Sequence, residues 1–141
     1  MVLSREEIME IIPHRDPFLL VDEVLELEPG ARALGVKHVR EDDYWFSGHF
    51  PGEPIMPGVL MIEAIAQAGA VAVLSLPEQG GKTAYLGGVT NARFRRKVVP
   101  GDDLMLEVEI VKRRGPVGVG KGTAAVGGEL ACSCEITFVI G

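Results

Sequence analysis

Pro57-Gly58-Val59-Leu60-Met61-Ile62-Glu63-Ala64-Ile65-Ala66-Gln67-Ala68-Gly69-Ala70-Val71-Ala72-Val73-Leu74-Ser75-Leu76 is the stretch that decides the fold. Proline has no N–H to lose and a φ preset for a first helical turn, so a helix starts at Pro57. Nearly every position around its circumference is apolar or glycine, and a helix without a polar face must be enclosed. The run has the length of a short membrane span, but Glu63 and Gln67 inside it favour burial in protein. Those two residues are four apart and share one stripe, which should face a cavity. A carboxyl group there either donates a proton or is tied to Gln67 and a loop backbone for structural reasons. The helix alone does not choose between them.

The enclosing material lies on both sides of this helix. Phe18–Leu27 and Arg32–Val39 read as strands joined by a turn at Pro29-Gly30. Ala84–Ala92, Leu104–Arg113, Val119–Val126 and Leu130–Ile140 read as four more. In Leu104–Val111, Leu104, Leu106, Val108 and Ile110 alternate with Met105, Glu107, Glu109 and Val111, the period of a sheet with one buried face. Gly127-Gly128 suits a tight hairpin. Ser4 and Glu7 form a capping-box pattern for a short helix, Arg5–Ile12, which Pro13 ends. The expectation is an α+β domain over residues 1–141, with a curved antiparallel sheet of about six strands around one long central helix.

Composition bounds the function. The 141 residues are 47% hydrophobic and 24% charged, as in ordinary globular chains. A net charge of −6 argues against sequence-independent nucleic-acid binding, which needs phosphate neutralisation. Cys132 and Cys134 are two apart in a strand-like run, share a face and read as small buried apolar residues; a metal pair would need further ligands nearby.

The chemistry concentrates before the helix, in Ser47-Gly48-His49-Phe50-Pro51-Gly52-Glu53-Pro54-Ile55-Met56-Pro57-Gly58. Three prolines stiffen this loop, so His49 is held more firmly than most loop histidines. Imidazole titrates near neutrality and serves as a base, although a lone loop histidine is often a bystander. His14 and His38 are placed among the bystanders. The amides of Gly58 and Val59 are orphan donors of the first helical turn, suited to a developing oxyanion. A base, a carboxylic acid and an amide pocket are what elimination of water beside a thioester needs, with no metal or organic cofactor.

Gly48 through Leu60, continuing through Glu63-Ala64 and Ala66-Gln67, resembles the signature of the 3-hydroxyacyl-acyl carrier protein dehydratases of type II fatty acid synthesis. The similarity extends to Pro13-His14-Arg15 and Pro17–Asp22 upstream, and to Ala92-Arg93-Phe94 and Val99–Asp102 downstream. The resemblance implies a hot-dog fold and dehydration of (3R)-3-hydroxyacyl-acyl carrier protein to the trans-2-enoyl product. It implies a homodimer with shared active sites, often a trimer of dimers, in the cytoplasm and without membrane insertion. His49 of one subunit and Glu63 of its partner would be catalytic. Gly58 would hold the thioester carbonyl, with Val59, Gln67 and Phe50 also at the substrate, and Tyr85 would gate the tunnel unless it is an ordinary strand aromatic. The cousin that also isomerises the double bond carries Asp at the Glu63 position, which disfavours isomerisation here. Asp16 stands where an aromatic is common, and Cys132 and Cys134 where small or acidic residues are usual.

Arg93, Arg95, Arg96 and Lys97 form a basic cluster in an acidic chain. They either protect a strand edge or dock an acidic carrier protein, the second role falling on Arg95, Arg96 and Lys97. Hot-dog domains also serve as thioesterases and acyl-thioester sensors, and neither of these has a reason to pair a loop histidine with a helix glutamate.

Overall fold

A computed structural model describes residues 2–141. The chain order is α1 (Arg5–Ile11), β1 (Glu23–Glu28), β2 (Arg32–His38), α2 (Gly58–Leu74), β3 (Ala84–Phe94), β4 (Asp103–Arg114), β5 (Val117–Val126) and β6 (Glu129–Ile140), with single 3₁₀ turns at Tyr44–Ser47 and Pro77–Gln79. The six strands form one sheet in the order β1-β2-β4-β5-β6-β3, every neighbouring pair antiparallel. The sheet wraps α2, from which Ala64, Ile65, Ala68 and Val71 are fully buried. This is the curved antiparallel sheet that the apolar helix demands, and the hot-dog fold that the resemblance implies.

Inward positions follow the alternation in the sequence. Leu104, Leu106 and Val108 of β4 and Cys132, Cys134, Ile136, Phe138 and Ile140 of β6 all face the helix. The two cysteines are free and act as core residues. Gly127 and Gly128 have φ of 56° and 81°, the left-handed conformation a two-residue hairpin turn requires. The Ser4–Glu7 capping box is present at the start of α1.

One boundary differs from expectation. Phe18–Val21 is apolar, as a strand should be, but β1 begins only at Glu23. Leu19, Leu20 and Val21 are buried as irregular chain. Part of their backbone bonding goes to the side chain of Gln67: Leu20 N–H donates to Gln67 Oε1 at 2.7 Å, and Phe18 C=O accepts from Gln67 Nε2 at 2.8 Å. A side chain takes the place of a neighbouring strand.

A polar network anchors the N-terminal segments. Lys37, only 4% exposed, lies 3.1 Å from Asp43 and 3.9 Å from Asp22, and Arg5 bridges Asp22 and Asp16. Asp16 therefore serves as a partner for Arg5. His38 is bracketed by Asp103 of β4 at 2.7 Å and Glu23 of β1 at 2.6 Å, which ties β2 to both neighbouring strands.

The hydrogen bonds to Asp103 and Glu23 raise the His38 pKa above its ordinary 6.5. A raised value means that the bracket stabilises fully below pH 6.5 and fades as pH rises through the folded-state value. His38→Gln should therefore lose stability relative to the parent near pH 6 and converge with it at alkaline pH, the difference being small because the site is partly exposed. Urea unfolding midpoints of the two proteins across this range test the sign.

Candidate active site

Glu63 lies on the second turn of α2 and lines an apolar cavity of about 260 Å³ between the helix and the sheet. His14, Phe18, Tyr85 and Leu86 line the same cavity. Gln67 Nε2 donates to Glu63 Oε2 at 2.9 Å. Together with the bonds to Phe18 and Leu20, this occupies both ends of an amide that is 1% exposed. The polar atoms of Gln67 are spent within the chain, and it holds Glu63 from behind.

His14, set aside in the sequence, proves to be a neighbour of Glu63. Its Nε2 is 3.7 Å from Glu63 Oε2, while Nδ1 is buried without a hydrogen-bond partner. Burial is the main cause that pushes the His14 pKa below its usual value; Glu63 opposes the shift and Arg15 adds to it. Arg15 fixes this corner by donating to the carbonyls of Ile12, His14 and Met9 at 2.8–3.0 Å. In the sequence, Pro13-His14-Arg15 was the only clue.

His49 belongs to a different part of the surface. It lines a groove at the N-terminus of α2 together with Ile55, Met56, Gly58, Met61 and Phe94. Its Nδ1 is 2.8 Å from the Ile55 carbonyl; since a carbonyl only accepts, Nδ1 carries the hydrogen and Nε2 is left as the basic nitrogen. The Phe50 ring stacks on the imidazole at 3.9 Å between centroids, so Phe50 braces the base. The Gly58 amide opens α2 beside this groove. A Cβ on Gly58 would sit 2.7 Å from the Phe94 ring, so glycine is required for that ring to lie across the helix start. Val59 projects into open space, 70% exposed.

Within one chain, then, Glu63 faces the cavity and His49 faces a groove outside it. Between them runs β3, a sheet edge whose Tyr85, Leu86, Val89 and Phe94 are exposed. Tyr85 lines the cavity mouth. Among the basic residues, Arg96 is held by Glu129 at 2.7 Å and Asp102 at 3.7 Å, and Lys97 lies 3.6 Å from Glu53. Among the described residues Arg93 and Arg95 have no carboxylate partner.

A hot-dog sheet around a helix that brings a carboxylate to an apolar channel defines a protein of the acyl-thioester class. Residues 12–135 match the FabA-like domain. The chain belongs to the FabZ family of 3-hydroxyacyl-[acyl-carrier-protein] dehydratases: it is 63% identical over 141 residues to the Clostridium novyi member, covering 100% of this chain and 99% of that one, and 64% identical over 140 residues to that of Clostridium acetobutylicum, covering 99% of each. In fold it is similar to a chain of the dehydratase heterocomplex ApeI:P from Xenorhabdus doucetiae (TM-score 0.84, 17% identity, 100% of this chain and 93% of that one). It also resembles a hypothetical thioesterase with coenzyme A from Streptococcus pneumoniae (TM-score 0.65, 14% identity, 84% of each chain). No helix among the described residues is long and apolar enough to cross a membrane.

If Gln67 is the support behind Glu63, Gln67→Met should keep the volume but strand the Leu20 N–H and Phe18 C=O. The expected cost is about 2–5 kcal/mol in urea unfolding. Among the molecules that stay folded, kcat should fall while KM holds, which steady-state kinetics on active-site-titrated enzyme measures.

Proposed function

We propose that the chain removes water from (3R)-3-hydroxyacyl chains borne on acyl carrier protein, giving the trans-2-enoyl thioester of fatty acid elongation. We place each active site between two copies, with His49 from one and Glu63 from the other. The observation that carries this reading is the separation just described, with base and acid on different faces of one chain and an unpaired apolar edge between them. A long, open apolar edge strand is a pairing surface. An isologous dimer along β3 covers it twice over and forms two equivalent sites.

In the proposed reaction the His49 Nε2 takes the proton from the carbon next to the thioester carbonyl. The electron pair moves toward the carbonyl oxygen, where the Gly58 amide and the positive end of α2 stabilise it. As the pair returns to form the carbon–carbon double bond, the β-carbon–oxygen bond breaks, and Glu63 gives the departing hydroxyl a proton so that it leaves as water. Gln67 occupies Oε2 of Glu63, so Oε1 faces the reaction. Loss of the His49 proton and reprotonation of Glu63 reset the site. Phe50 keeps the imidazole in plane, and Tyr85 at the cavity mouth controls entry. A thioesterase would instead direct water at the carbonyl through a carboxylate, with no reason to pair a loop histidine with a helix glutamate.

Shared sites make a definite prediction. His49→Ala and Glu63→Gln homodimers should each lose at least about a hundredfold in turnover. After the two are unfolded and refolded together, the mixed dimer has one site with both defects and one with none. Activity should return toward half of the parent value per mixed dimer. Confirmed heterodimers that stay inactive would place both residues in one chain and remove the proposed arrangement.

The carrier is proposed to approach over Arg95 and Lys97, with Arg96 contributing less because Glu129 and Asp102 already neutralise it. The Lys97–Glu53 contact is exposed and holds that lysine only weakly. Arg95→Ser with Lys97→Ser should raise KM for carrier-bound substrate severalfold, an effect that added salt reproduces, and should leave small carrier-free thioesters unaffected. Equal losses with both substrates would assign the cluster to the fold.

A further inference from the structure

Along α2 the cavity is lined by Glu63, Ile65, Ala66, Gly69 and Ala70. From Glu63 to Ala70 the helix rises about 10 Å. Opposite it, the inward positions of β5 are Gly118, Gly120, Gly122 and Ala124, so this strand contributes almost no side-chain volume. The room left by Gly118 is taken by the Phe138 ring from β6, which lies across it and forms one wall. The room between Gly69 and Gly120 is taken by Val108 of β4. A Cβ on Gly69 would sit 3.2 Å from Val108 Cγ1, and one on Gly120 would sit 3.1 Å from the same methyl. Val108 is thus wedged between two backbones, 2% exposed, and lines the cavity where Gly69 stands on α2, six residues beyond Glu63.

We propose that Val108, clamped between Gly69 and Gly120, is the floor that sets which acyl chain lengths the enzyme prefers. This rests on the dehydratase reading above, because it takes the cavity as the acyl channel with the reacting carbons at Glu63. At about 1.2 Å per bond in an extended chain, 10 Å holds roughly eight carbons. The preferred substrate is a 3-hydroxyacyl chain with about eight carbons beyond the reacting centre. A valine clamped on both sides cannot swing aside for a longer tail as a surface side chain would, because either glycine backbone would have to move.

The test is kcat/KM over a series of 3-hydroxyacyl thioesters from short to long, for the parent, Val108→Ala and Val108→Leu. The quantity read is the ratio of kcat/KM for a long chain to that for a short chain within one preparation; this ratio does not depend on how much of the protein is folded. Val108→Ala should raise the ratio about tenfold and move the optimum to longer chains. Val108→Leu, which extends the floor by one methylene, should lower it by a similar factor and shorten the optimum. Unchanged ratios in both variants, with the parent still forming enoyl product, would overturn the floor and leave the dehydratase reading standing. A parent that forms no enoyl product from any chain would overturn the dehydratase reading, and the floor with it.

Discussion

Gln67 makes three hydrogen bonds with one amide, to Leu20, Phe18 and Glu63. A buried amide is tolerated only when its donors and acceptor are matched, and here matching it does two jobs. It fastens the irregular segment before β1 onto α2 and fixes the orientation of Glu63. Without the clamp, Leu20 and Phe18 would bring unpaired backbone groups into an apolar interior, and the carboxylate would lose the donor that distinguishes its two oxygens. The wrapped sheet is what makes the clamp necessary, since an enclosed helix leaves Gln67 no water to turn to.

The enclosure was legible in the sequence because it follows from composition at helical spacing. A helix with Val, Leu, Ile, Ala and Gly on every side has one physical solution, and the alternation of β4 supplies the sheet that provides it. Phe18–Val21 was not legible. Its apolar run is as good a strand by pattern as β1, and only the distant Gln67 makes the irregular path affordable. The strand expected from Val119 begins at Val117, since nothing local reveals that a phenylalanine twenty positions along the chain lies over Gly118.

The site divides in the same way. His49, Glu63 and the Gly58 amide were visible as residue types in a stiff loop and an apolar helix, where a polar group must have a reason. His14 was invisible because its importance lies in a 3.7 Å approach to a residue nearly fifty positions away. The Gln67 assignment was half legible: the spacing to Glu63 put the two on one stripe, but spacing cannot say whether an amide faces the cavity or the chain. Wherever a role depends on a partner distant in sequence, pattern gives candidates and only geometry assigns them.

The separation of Glu63 and His49 onto different faces has a physical logic of its own. Glu63 sits on a helix that is rigid because it is enclosed, and His49 on a loop made rigid by its prolines, the Ile55 carbonyl and the Phe50 ring. A single chain that brought both to one point would have to open its own core to admit the loop. Placing His49 outside the cavity lets the core close around α2 while Glu63 still lines the cavity. The same economy governs β3: the apolar edge is a liability for an isolated chain, and in the proposed dimer a second copy would cover it and bring His49 and Glu63 together. On this reading, folding and catalysis depend on a single surface, and changes that loosen the β3 edge should impair both.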